Sequence, residues 1–280
     1  MSAPNQLDSA EKSNPAESMR ILLICHQEEM LNRVVVPRWL ASFSTLAGII
    51  ALRETGRQKR RRIQREVKRV GLFGFLDVVL FRLYYRLFLA RADRRWEEQK
   101  RAELFDRYPE IPVRTPVLEC ASPNSAPAKN FIAQAKPDLM IARCKVILKE
   151  EIFSIPTCGT FVMHPGICPE YRNAHGCFWA LANRDLERVG MTLLRIDRGV
   201  DTGPIFAFYH CQLDEIEDSH IIIQHRTVFE NLDDIQAQLT SIYRREAIPI
   251  DVTGRKSAAW GQPWMTRYLS WKRAAKRRPI

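Results

Sequence analysis

A rhythm of short apolar runs constrains this chain more than any other feature. MRILLIC (Met19–Cys25), LAGIIALRE, TPVLECA, DLMIARC, GTFVMH, GMTLLRID and GPIFAFYHCQLD are each strongly apolar without a helical period. They read as strands, the first as one buried on both faces. Helix-like stretches lie between them: MLNRVVVPRWLASF, SAPAKNFIAQAKP capped by Ser125, VILKEEIFSIP and AHGCFWALANRD. Residues 219–245 read as helical, with Ile221, Ile222, Val228, Ile235, Leu239 and Ile242 apolar. Strand, helix, strand opens a doubly wound sheet. The predicted fold class is α/β, a Rossmann-like, mostly parallel sheet. No G-x-G-x-x-G follows the first strand, so a dinucleotide site is not indicated.

The expected organisation is a polar leader over residues 1–18, one domain over 19–250 carrying a helical insertion at 56–108, and a tail over 251–280. The leader has no apolar stretch of a signal peptide and reads as disordered. The tail holds three of the six tryptophans and ends WKRAAKRRPI. The insertion opens with Arg57–Arg69, in which eight of thirteen residues are Lys or Arg. The apolar stretch after it is interrupted by Asp77, Arg82 and Arg86, which argues against a membrane span. One or two amphipathic helices are expected. Three uses stay open for them: packing on the core with solvated cations, lying on an acidic membrane surface, or contacting RNA. The formal charge of +11 favours anionic partners without choosing among them. Seven cysteines, an odd number without C-x-x-C, speak against a disulfide framework or a thiolate metal knot and for a reducing cytoplasm.

Two loops carry chemistry. His164 ends GTFVMH, and Asp201 sits in RGVDTG between two expected strands. In open α/β sheets ligands bind beyond the carboxyl ends of strands. A histidine and a carboxylate on neighbouring strand-end loops make an acid/base pair. From residue types alone, a structural histidine closing a turn is the better reading of His164. His26 reads as structural. His220 and His225, five apart, do not share a helical face, and no metal site is indicated. Cys168 and Cys177 lack an evident cationic neighbour and read as packing residues. No G-x-S-x-G is present.

The letters around these two residues add more. HPGICPEYR and, some two dozen residues on, VGMTLLRIDRGVDTGPIF resemble the folate-dependent formyltransferases, which include the glycinamide ribonucleotide, methionyl-tRNA and sugar N-formyltransferases. The family pattern is Asn-x-His-Pro-Ser-Leu-Leu-Pro-x-Tyr-Arg-Gly, then Gly-x-Thr-x-His and Asp-x-Gly-x-Asp-Thr-Gly. The resemblance spans about residues 19–245 outside the insertion and is sharp over 159–205.

It implies the formyltransferase fold, and transfer of a formyl group from 10-formyltetrahydrofolate to an amine without a metal. His164 would polarise the formyl oxygen and Asp201 would take the amine proton. The folate ring would lie between the loop of Ala142, Arg143 and Cys144 and the loop of Asp197, Gly199 and Val200. Tyr171 and Arg172 would shape the substrate side with Thr202 and Gly203, Arg172 being placed to meet an anionic group. Three positions depart from the pattern: Val162 replaces the asparagine, Leu194 the second histidine, and Asn173 the glycine. Asn173 and His175 are the candidates to take over the lost polar roles. The expected partners are a folate donor and a small-molecule amine, since little chain follows Arg245 for the further domain of the tRNA enzymes. RNA stays open through Arg57–Arg69, and the oligomeric state is not indicated. The alternative is a catalytically degenerate binding or regulatory protein.

Overall fold

The computed structural model describes residues 18–277; the expected leader lies outside them but for Ser18. The apolar runs become strands β1 (Arg20–His26), β2 (Thr45–Leu52), β3 (Val117–Cys120), β4 (Leu139–Arg143) and β5 (Gly159–His164). After a two-residue strand β6 (Arg172–Asn173) come β7 (Met191–Arg195), β8 (Ile205–Tyr209) and a short β9 (Ala259–Trp260). The helices are α1 (Val36–Phe43), α2 (Gly56–Tyr84), α3 (Ala90–Arg107), α4 (Ala126–Ala135), α5 (Glu150–Phe153), α6 (Gly176–Ala182), α7 (His220–Phe229), α8 (Leu232–Tyr243) and α9 (Met265–Lys276).

Seven strands form one sheet in the order β3-β2-β1-β4-β5-β7-β8. The first five are parallel; β7 runs antiparallel to β5, and β8 to β7. The chain winds outward from β1 to β3, then returns to β4 on the other side of β1. That reversal opens a crevice at the carboxyl ends of β1 and β4, where α/β sheets bind ligands. Continuous burial along β1 and β2 matches their unbroken apolar sequence, because helices cover both faces.

The insertion is a long helix bent at Gly71, whose φ of 72° and ψ of 176° suit glycine alone. Thr55 and Gln58 cap its start reciprocally. A π turn at Tyr85–Leu89 joins it to α3. Its inner face is anchored firmly. Phe81 packs on Phe178, His220 and Tyr268 with ring centroids 5.3–5.6 Å apart. Asp77 caps α9 by accepting from the Thr266 backbone N–H at 3.1 Å and from its hydroxyl. The buried Asp93 accepts from Tyr85 at 2.9 Å and Ser219 at 2.8 Å, which ties α3 to the start of α7.

Residues 255–276 fold back onto this assembly as an integral part of it. Trp271 on α9 is fully buried, with its indole N–H donated to Glu215 at 2.9 Å. Trp260 stacks on Trp179 at 4.8 Å and on Tyr171 at 5.7 Å. Tryptophans this large dominate the burial of a short segment. Trp271→Ala is expected to destabilise the fold by about 3–5 kcal/mol, read from chemical denaturation, because it leaves a large cavity and takes one donor from Glu215, which Arg184 still holds.

Candidate active site

His164 is the last residue of β5 and is buried. Both ring nitrogens are engaged. Nε2 lies 2.7 Å from the Tyr171 carbonyl, and Nδ1 lies 3.3 Å from Asp201 Oδ2. A carbonyl only accepts, so Nε2 carries a proton. Nδ1 faces the carboxylate of Asp201. The same Oδ2 accepts the backbone N–H of Asn173 at 2.8 Å. Imidazole and carboxylate are thus fixed relative to each other from two sides, while Asp201 Oδ1 accepts no hydrogen bond among the described residues.

The loop between His164 and Asn173 is held by close packing and one hydroxyl. Gly166 and Gly176 pack back to back: a Cβ on Gly166 would lie 2.5 Å from the Tyr171 carbonyl and 2.8 Å from Gly176 Cα. Thr192, opposite His164 on β7, donates to the Gly166 carbonyl at 2.7 Å and accepts from the Cys168 N–H at 3.0 Å. The Tyr171 hydroxyl donates to Asp185 at 3.0 Å.

Asp201 reaches His164 by an unexpected route. The sequence reading put both residues on loops at the carboxyl ends of neighbouring strands. Because β7 is antiparallel, Arg195 pairs with Phe161, so the loop leaves β7 at the far end from His164. It then folds back along the Val162 face, with the Ile196 N–H donated to the Thr160 carbonyl at 2.7 Å. Asp197 shapes this return by accepting from the Gly199 N–H at 2.9 Å and the Thr202 hydroxyl at 2.7 Å. Gly203 lies against the Arg195 carbonyl, with no room for a Cβ. Asp197, Gly199, Thr202 and Gly203 are therefore joined within one loop, and Asp201 takes a left-handed φ of 52° at its tip.

Arg172 braces the loop from the other side. Its Nη1 donates to the Val200 carbonyl at 2.9 Å and its Nε to Ser257 at 2.8 Å. Asn173, at φ 77°, spends an amide N–H on the Trp260 carbonyl, so its bond to Asp201 is made by its backbone. His175, at φ 55°, precedes α6 and packs on His220, with ring centroids 5.8 Å apart. Both have a buried Nδ1 without a hydrogen-bond partner among the described residues. Burial holds His175 down at about 3, with Lys145 and Arg82 as nearby cations, and pushes His220 well below 6.5.

A polar cluster lines the crevice between β1 and β4; of its members the sequence reading named Arg143 and missed Glu29, Asn32 and Lys145. Arg143 donates to Asn32 Oδ1 at 2.9 Å and to the Met163 carbonyl at 2.5 Å, one residue before His164. Asn32 donates to Glu29 at 2.7 Å, and Glu29 pairs with Lys145 at 2.8 Å. Despite its burial, Glu29 is held down at about 2 by Lys145 and Asn32. His26 accepts the Lys145 N–H at 3.0 Å. The i, i+3 spacing of Glu29 and Asn32 beyond the first strand was the available signal. Ala142 belongs to an apolar cluster against which Cys144, Val146 and Ile196 pack. Cys144, raised to about 11 by burial, is an inert thiol here. Among the described residues no group of three or more His, Cys, Asp or Glu side chains is placed to hold a metal ion.

A family model described as formyl transferase matches residues 96–235. The chain belongs to the formyltransferase family. A methionyl-tRNA formyltransferase of Thermotoga sp. (strain RQ2) is 33% identical over 105 residues, covering 37% of this chain and 33% of that protein. The bifunctional polymyxin resistance protein ArnA of Wigglesworthia glossinidia brevipalpis is 26% identical over 141 residues, 50% of this chain and 21% of that one. The match thus spans about a third or less of the length of these curated relatives. Among solved structures, a phosphoribosylglycinamide formyltransferase from Anaplasma phagocytophilum superposes with a TM-score of 0.52 at 12% identity, covering 87% of this chain and 98% of that one. A 4-N formyltransferase from Francisella tularensis gives 0.52 at 10% identity, covering 92% and 88%. At such identities the likeness is one of fold.

Two of the three positions that depart from the formyltransferase pattern turn out to be neighbours. Val162 and Leu194 are direct cross-strand partners on β5 and β7. With Cys168, Ile205, Phe208 and Val252 they form one apolar cluster beside the His164–Asp201 pair. Two polar groups have been exchanged together for a continuous hydrophobic wall, which avoids an unpaired buried amide or imidazole.

Two predictions follow from this packing. Gly166→Ala is expected to push the Tyr171 carbonyl off His164 and to cost about 1–3 kcal/mol, measured by denaturation. His175 and His220 are neutral in the fold, whereas an unfolded histidine titrates near 6.5. The unfolded chain therefore binds more protons between about 6.5 and about 3, and stability falls as pH drops through that window. His220→Phe should make this fall shallower in a pH series of denaturation midpoints.

Proposed function

We propose that this formyltransferase moves the formyl group of 10-formyltetrahydrofolate to an amine of a small metabolite at the His164–Asp201 pair. The observation that carries the reading is the buried imidazole–carboxylate pair itself, 3.3 Å apart and braced by Tyr171 and Asn173. The donor fits the residues in kind. Val162 offers an apolar floor for a flat ring, and the loops at 142–146 and 197–201 offer backbone groups at its edge. When bound, the donor supplies the formyl carbon and the leaving nitrogen of tetrahydrofolate.

The chain's own residues then manage one proton and one developing charge. The amine nitrogen bonds to the formyl carbon, the bond from that carbon to the folate nitrogen breaks, and a proton passes from the first nitrogen to the second. Asp201 Oδ1 takes the amine proton, and His164 spreads the charge across the pair. The His164 Nε2–H is shared between the Tyr171 carbonyl and the formyl oxygen. Val162 adds no second donor, so charge stabilisation rests on fewer groups than the family pattern provides. The cluster of Glu29, Asn32, Arg143 and Lys145 faces the crevice as the acceptor side, with Glu29 suited to an ammonium group.

A second reading has its own support. The joint loss of both polar groups at Val162 and Leu194 favours a protein that binds folate without turning it over. Release of tetrahydrofolate from 10-formyltetrahydrofolate, followed spectroscopically, separates the two. Formyl transfer predicts a loss of at least about a hundredfold in His164→Ala. Binding with no release in either protein would establish the second reading instead. Val162→Asn is expected to raise release by roughly ten- to a hundredfold by restoring a donor; an unchanged rate would show that this donor does not limit the chemistry.

A further inference from the structure

The outer face of the insertion has no partner within the chain. Leu72, Leu76, Val79, Leu80 and Leu83 fall within an arc of about 120° on α2, opposite the buried Val78 and Phe81. Phe73 extends this stripe, and Leu87 and Phe88 continue it through the π turn. Phe73 is 87% exposed, Phe88 67%, Leu72 65% and Leu87 64%. Eight large apolar side chains in seventeen residues exceed what a solvated helix face carries. No helix among the described residues is long and apolar enough to cross a membrane.

Charge selects the occupant. Before the Gly71 bend, Arg57, Lys59, Arg60, Arg61, Arg65 and Lys68 are exposed and form no ion pair among the described residues. Beyond the stripe, Arg86, Arg91, Arg94 and Arg95 are exposed as well. The two acids of α2 turn toward the body: Glu66 to Arg69 and the Gln262 N–H, Asp77 to Thr266. Cations therefore bracket the apolar stripe at both ends. A second copy of this chain, docked parallel or antiparallel along the stripe, would bring cation against cation. RNA would pair with the cations and leave eight aliphatic and phenyl groups against a phosphate backbone. An anionic bilayer satisfies both parts, with acyl chains for the stripe and headgroup phosphates for the cations.

We propose that the outer face of Leu72–Phe88, with its flanking cations, docks the protein on an anionic membrane surface. The helix lies in the interface, held to the body through Phe81 and Asp77. From the same helix Arg82 reaches back to Gln262 at 3.0 Å, next to the β6–β9 pairing that carries Asn173. The docking helix and the wall of the active-site crevice are thus parts of one structural unit.

The test is flotation of the full chain with phosphatidylcholine vesicles, with and without phosphatidylglycerol. Binding is expected on the phosphatidylglycerol vesicles, weak on phosphatidylcholine alone, and reduced by salt. Leu76→Glu with Leu80→Glu, and separately Arg60→Glu with Arg61→Glu, should each lower the bound fraction roughly tenfold or more. All four positions are exposed, and unchanged thermal unfolding shows that each variant is folded. Failure of the wild type to float on anionic vesicles overturns the proposal. So does a concentration-dependent dimer dissolved by the leucine substitutions, or retention of RNA lost only in the arginine variant without any lipid binding.

Discussion

The site depends on a buried imidazole held at both nitrogens. The Tyr171 carbonyl fixes one side of His164 and the Asp201 carboxylate the other, and each of these is itself fixed by something further away. Tyr171 is placed by two glycines in contact and by Thr192; Asp201 is placed by the Asn173 N–H and by a loop tied through Asp197. A polar pair removed from water needs every member satisfied, or the low dielectric that strengthens it turns into a penalty. That requirement accounts for the many hydrogen bonds that residues of the two loops make to one another.

The apolar exchange at Val162 and Leu194 shows the same rule from the other side. The family pattern places polar groups at these two positions, which face each other across β5 and β7 in this fold. Their replacement by a single hydrophobic wall leaves the histidine–aspartate pair intact and reduces the donors around it. The pair and its supports are therefore separable from the oxyanion donors of the family pattern, both in space and in their hydrogen-bonding networks.

Much of the fold was legible locally. Buried strands announce themselves as apolar runs without helical period, and all seven such runs became strands of the sheet. Ser125 caps its helix as a side-chain oxygen at that position should. The two motif loops were also legible, because glycines and aspartates at fixed offsets are turn chemistry written in the sequence. The tail was not. Its tryptophans could be counted, yet nothing in the sequence near residue 260 tells which surface receives them. Arg143 was named from its loop, but its grouping with Glu29, Asn32 and Lys145 was hidden, since these residues lie at the ends of two strands that are adjacent only because the sheet reverses between β1 and β4.

By itself the sequence determined the α/β class, the two motif loops, and the residue types that meet there. Those are set by period, turn preference and the acid–base character of single side chains, all properties of a few neighbouring residues. Only the tertiary structure decided that Asp201 returns from the far end of an antiparallel β7, and that Val162 faces Leu194. It also decided that Asn173 serves through its backbone and that one side of a long helix stays bare. Strand direction, cross-strand partners and the choice of buried face depend on contacts distant in sequence, and no local pattern encodes them.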